Sequence, residues 1–205
     1  IASMADLDAA SLEDVKTWFR DNYGPNNAVL VLAGDIDAAE ARPLVAKWFG
    51  AIPRGPAVDH PEIAIPTLAA PKEVVTTDQI ATTRIYRMWT TPGMASEDSN
   101  LLALGASVLG GLSSSRLDNA MVRAENPLAV AVSSYLYQLE DAGIFIVQAD
   151  ARPGVDAADL AAKLDAEVAS YLATGPSAAE LERAKTSTVA GTIRGLESVG
   201  GFGGK

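Results

Sequence analysis

Apolar residues recur along this chain in two periods, one helical and one extended. Leu12, Val15, Trp18 and Phe19 fall on one helical face behind Ser11 and Asp14, whose i, i+3 spacing is that of a capping box. The Gly24-Pro25 step ends that helix near Tyr23. "NAVLVLAG", residues 27–34, is a short continuous apolar run bounded by Gly34, and it predicts a buried strand. Asp37 and Glu40 then open a second helix with Ala41, Leu44, Val45, Trp48 and Phe49 on its apolar face and Gly50 as its C-cap.

Periodicity then lapses. Between Ile52 and Pro71 the prolines at 53, 56, 61, 66 and 71 break any helix or central strand, so this segment reads as an extended linker. The expected organisation is a first module ending in residues 1–51, a linker over 52–71 and a second module over 72–205. In that module, "KEVVTTDQIATTRIYRMWTTP" carries two strand-like pieces, the second alternating around Ile85. Leu101, Leu104, Val108 and Leu109 predict a helix, and Leu117, Met121 and Val122 another, with "GGLSSS" between them. "VAVSSYLY" and "GIFIVQA" predict two strands joined by the polar "QLEDAG". Asp156 and Asp159 open a helix along Leu160, Leu164, Val168 and Leu172 that Gly175-Pro176 ends. Ser177 and Glu180 open the last one. Two strands, two helices, two strands, two helices imply an α+β fold, with helices packed on one face of a largely antiparallel sheet.

Composition narrows the function classes. A 48% hydrophobic, 20% charged chain is globular material. Its net charge of −10, with no basic stripe, argues against nucleic acid or an anionic membrane surface as partner. No apolar run approaches the roughly 18 residues of a membrane-crossing helix. The absence of cysteine excludes disulfides and thiolate metal sites without selecting a compartment. The start at Ile1 and the end inside a glycine-rich run suggest a piece of a longer chain.

Tests for chemistry return no complete site. The terminal "VGGFGGK" has Val199 where a phosphate-binding loop needs its first glycine, and it follows a helix. Ser113, Ser114 and Ser115 have no base beside them in sequence, because the only histidine is His60 in the linker. One histidine also falls short of a zinc ligand set, and Asp35, Asp37 and Glu40 are better explained as helix-start residues. The glycine-serine stretch has a complete structural reading as a helix corner. Gly110 and Gly111 would take positive φ at the end of one helix, a serine would cap the next, and Leu112 and Leu117 would bury the bend.

The assembled motifs resemble the pitrilysin/insulinase family of zinc metallopeptidases. "SLEDVKTWFRDNYGPNNAVLVLAGDID" is similar to the segment closing that family's first module, and "WFGAIPRG" to its exit into the linker. "LGGLSSSRL" resembles its helix-corner signature and "GPSAAELERAK" the start of its last helix. The resemblance runs in order over nearly the whole chain, and "LESVGGFGGK" resembles the long bacterial subgroup with two such halves. It makes Gly110, Gly111, Ser114, Ser115 and Arg116 a structural helix corner.

The resemblance implies a module of a clamshell peptidase in which the inverted motif H-x-x-E-H and a later glutamate hold zinc and activate water. That motif is absent from this chain, so zinc belongs to the parent protein and this piece alone holds neither metal nor catalytic residue. The implied partners are a peptide substrate, the missing N-terminal module and the second half of the chain, or a homologous subunit. The implied compartment is the periplasm or cell envelope. The family's substrate-gripping Arg/Tyr pair maps to "VRAENPLAV", with Arg123 at the arginine and Val130 at the tyrosine, a departure that removes the hydroxyl donor. A noncatalytic structural or substrate-presenting member of the family is the competing expectation, and an unrelated α+β binding module is a third.

Overall fold

The structure, a computed structural model, describes residues 3–59 and 63–197, and it divides into two compact units, Ile1–Pro61 and Glu62–Lys205. His60 and the terminal glycine-rich run from 198 lie outside the described residues.

In the first unit, helices α1 (Met4–Ala9), α2 (Leu12–Asn22) and α3 (Ala38–Phe49) follow their local start signals. Ser11 and Asp14 form the reciprocal capping box, each side chain bonding the other's backbone N–H. Asp37 caps α3 by accepting from Ala39 N–H, and Gly50 ends it in right-handed conformation. A short 3₁₀ turn, Pro25–Asn27, places the Asn26 amide to accept from Gly55 N–H at 2.8 Å and donate to the Pro56 carbonyl at 2.8 Å. Residues 28–33, expected as a buried strand, pair with no strand among the described residues, and Val29 and Val31 are 91% and 78% exposed. Their composition suits a strand covered on both faces, but pairing needs a second strand, which the described part of this unit does not supply. Trp18, Phe19 and Tyr23 pack on one another yet stay half exposed.

The core lies in the second unit. Strands β1 (Arg84–Pro92), β2 (Ala129–Gln138) and β3 (Ala142–Ala151) form an antiparallel sheet in the order β1-β3-β2. β2 and β3 make the hairpin that alternation predicted. The first strand-like piece, residues 72–78, has no ladder, because alternation specifies a face and not a partner. Helices α4 (Glu97–Ala106), α5 (Ala157–Thr174) and α6 (Ala178–Glu197) accompany the sheet. Leu160, Leu164 and Val168 of α5 join Val147, Ala149 and Ala151 of β3, and Leu109, Leu117 and Met121 of the corner, in one buried cluster. The observed fold is α+β, with helices on one sheet face.

Candidate functional site

Two features of the second unit stand out, a tightly held helix corner and the sheet face that no helix covers. The corner begins where α4 widens into a π-helical turn, Ser107–Gly111, and ends with a second π turn, Asp118–Val122. Gly110 and Gly111 are not the left-handed residues that their position suggested. Both lie in the first π turn, and the residue with positive φ is Ser114, at 68°. Gly110 is needed for close approach instead. A Cβ there would stand 2.8 Å from the Ser134 backbone nitrogen and 2.9 Å from its Cβ, so the absent side chain lets the turn rest directly on β2.

Ser114 is held in its sparsely populated conformation from several sides. Its N–H donates to the Asp118 carboxylate at 2.8 Å, and its carbonyl accepts from the Asn119 amide at 2.9 Å. Arg183 of α6 reaches both its carbonyl and its hydroxyl. The expected serine cap is therefore reversed, since a carboxylate from inside the turn accepts a serine N–H. The Ser115 hydroxyl is buried without a partner. Burial pushes the Asp118 carboxyl up, but the Ser114 N–H and the Arg123 guanidinium outweigh it and hold it below the usual range.

Arg116 fastens the corner to the α5–α6 turn. Nε and Nη2 donate to the two Glu180 oxygens at 2.7 and 2.8 Å, Nη2 also to the Gly175 carbonyl at 2.7 Å, and Nη1 to the Thr174 hydroxyl at 2.9 Å. The guanidinium lies 5.1 Å from the Tyr171 ring centroid, within cation–π range. Glu180 also closes the predicted capping box with Ser177, accepting its N–H at 2.7 Å. Hydrogen bonds from Arg116 first, then from Ser177, hold the Glu180 carboxyl down to about 2 against its partial burial. Spacing could not reveal this clasp, whose partners are 58 to 64 residues from Arg116.

The other sheet face is open. Directly paired residues share a face, so the register sets out its rows: Arg84, Asp150 and Ala131; Tyr86, Gln148 and Ser133; Met88, Ile146 and Tyr135; Thr90, Ile144 and Tyr137. Met88, Tyr135 and Tyr137 are about half exposed, at 56%, 43% and 53%. The alternation in "RIYRMWTT" and "VSSYLYQ" was the signal that could have identified this face from sequence. Arg123 stands at the end of the second π turn, 58% exposed and paired with Asp118. Val130 sits at the β-bulge between Ala129 and Ala131, where β2 slips against β3.

Against this geometry, the family description "Peptidase M16 inactive domain" matches residues 9–188. The chain belongs to this family. M16 is the pitrilysin/insulinase family, so membership sets aside the unrelated binding module. The chain is 26% identical over 204 residues to the zinc protease PqqE of Helicobacter pylori, covering 97% of this chain and 45% of that protein. A crystal structure of a protease from Helicobacter pylori superposes with a TM-score of 0.77 at 26% identity, over 96% of this chain and 48% of that one. The first half of the periplasmic protease PqqL from Escherichia coli shares the fold at a TM-score of 0.64 and 20% identity, over 95% and 42% of the two chains. The chain thus spans about half the length of the curated relatives it matches. The family's zinc does not fit the residues present. One histidine occurs in the sequence, and among the described residues no group of three His, Asp or Glu side chains could hold a metal ion.

Proposed function

We propose that this chain is a noncatalytic part of a zinc-dependent endopeptidase, in which residues 72–205 form one wall of a chamber that encloses a peptide during hydrolysis elsewhere in the protein. One observation carries the reading: in this peptidase-family module, helices cover one sheet face and leave the other, with Tyr86, Met88, Tyr135 and Tyr137, without a helix over it. Residues 1–51 are then the end of the preceding, zinc-bearing module. The apolar run 28–33 and the groove beside it, lined by Leu30, Leu32, Ala41 and Val45, receive that module's remaining strands and helices. Residues 52–71 connect the two. Arg123, exposed beside Asp118, is a charged group available to a peptide carbonyl, and Val130 offers that carbonyl no hydroxyl. The periplasm or cell envelope is the proposed compartment, in line with the fold shared with a periplasmic protease.

The test is hydrolysis of an internally quenched, unstructured peptide by the complete parent polypeptide. Cleavage is expected to vanish on chelation, to return with zinc, and to be lost when residues 72–205 are deleted. Cleavage by the 205-residue chain alone would overturn the reading. A parent that binds no zinc and cleaves nothing would instead assign the protein to the family's noncatalytic, substrate-presenting members.

A further inference from the structure

The chain carries a net charge of −10, which on electrostatic grounds alone would make it a receiver of basic peptides. The open sheet face is built differently. Its charged row is closed on itself, because Arg84 donates from both Nε and Nη2 to the two Asp150 oxygens and so leaves neither sign unpaired. The next rows carry no charge: Tyr86, Gln148 and Ser133, then Met88, Ile146 and Tyr135, which is the most apolar row, then Thr90, Ile144 and Tyr137. Ile146, on the central strand, is buried, whereas Met88, Tyr135 and Tyr137 keep about half their surface in water.

Rows repeat every second residue, about 7 Å apart, which is also the spacing of same-side side chains in an extended peptide. The face already makes one contact with a backbone carbonyl. The Thr90 hydroxyl donates at 2.7 Å to the carbonyl of Pro66, in the proline-rich segment of the same chain.

We infer that this face recognises an extended peptide through aliphatic or aromatic side chains at alternate positions, and that Met88, Tyr135 and Tyr137 set this preference. The selection rests on the chamber-wall reading but is a binding property of the 205-residue chain. It can therefore be measured without zinc or hydrolysis. Burial of apolar surface drives it, with the phenol hydroxyls free to meet backbone carbonyls, so it is insensitive to salt.

The experiment is fluorescence anisotropy of the full chain with three labelled octapeptides that alternate Gln with Leu, Lys or Glu. The Leu peptide is expected to bind at least about tenfold more tightly than the Lys peptide, with an affinity unchanged between about 0.05 and about 0.5 M salt. The double substitution Tyr135→Ser and Tyr137→Ser should weaken the Leu peptide about tenfold, and Met88→Gln, a single change at a half-exposed position, should weaken it in the same direction. Trp48→Ser, on the exposed surface of the first unit, should leave it unchanged. Tighter binding of the Lys peptide would overturn the inference. So would Leu-peptide binding that survives the strand substitutions, falls with Trp48→Ser, or is absent altogether. Leu selection by this chain with no hydrolysis by the parent would sink the peptidase reading and leave this one standing. Hydrolysis without Leu selection would do the reverse.

Discussion

Removing the Arg116 guanidinium tests how the corner is held. Arg116→Ala would delete four hydrogen bonds and the stacking on Tyr171, and would leave Glu180 with only its Ser177 contacts at a site where its side chain is 22% exposed. The magnitude follows from Glu180, whose carboxyl is held at about 2 instead of its ordinary 4.5. At 1.36 kcal/mol per pKa unit, that difference corresponds to at most about 3 to 4 kcal/mol for the whole carboxylate environment. Arg116 is its largest favourable component, and partial exposure reduces the figure further, so we expect a loss of about 2 kcal/mol. For a unit of this size that lowers the melting midpoint by roughly 4 to 8 °C. The folded-state pKa is depressed, so the contribution is complete above 4.5, declines as pH falls from there, and is gone below about 2. Circular dichroism melts of both proteins at neutral pH and at several acid pH values provide the assay. The gap in midpoint should be full at pH 7 and should shrink as the pH drops below 4.5. A variant that melts with the parent chain at neutral pH, or a gap that persists undiminished in acid, would refute the reasoning.

Other consequences are as direct. Gly110→Ala forces a methyl against the Ser134 backbone, so it should cost about 1 to 3 kcal/mol in a chemical denaturation curve, and an unchanged midpoint would contradict the close approach. Ser114→Gly removes the penalty of a positive φ at 68° for the loss of one weak Arg183 contact, so its unfolding free energy should be unchanged or raised by up to about 1 kcal/mol in the same curve, and a clear loss would contradict the strain. In hydrogen exchange of the isolated chain, amides of the β2–β3 ladder and α5 should be the slowest. Those of residues 28–33, which have no ladder, should exchange within the earliest time points.

What was legible in the sequence was local. Ser11 with Asp14 and Ser177 with Glu180 announced their helices because a capping box is closed within four residues. The β2–β3 hairpin was readable because both strands alternate across a short polar turn. The run at 28–33 has the composition of a buried strand but forms none among the described residues, because a strand exists only with a partner and that information is non-local. The corner motif was found while its physics was misassigned. Helix-ending position predicts left-handed conformations for Gly110 and Gly111. In fact Gly110 serves contact with a strand 24 residues later in sequence, and the strained position falls on Ser114. Arg116 is visible in sequence as part of a signature, but its partners on the α5–α6 turn belong to tertiary structure. Alternation in β1 and β2 marks which residues share the open face, but not that helices leave it uncovered, which is a property of the packing.

The central claim, that the uncovered sheet face lines the space where peptide is held, is tested most directly by photo-crosslinking in the complete parent protein. A photoreactive side chain would be placed at Tyr135 or Tyr137 on the open face, and in parallel at Lys163 or Glu167 on α5. Incubated with a labelled peptide substrate, the first pair should form covalent adducts that excess unlabelled peptide suppresses, and the α5 pair should form none. Adducts at the α5 positions with none at Tyr135 or Tyr137 would contradict the account.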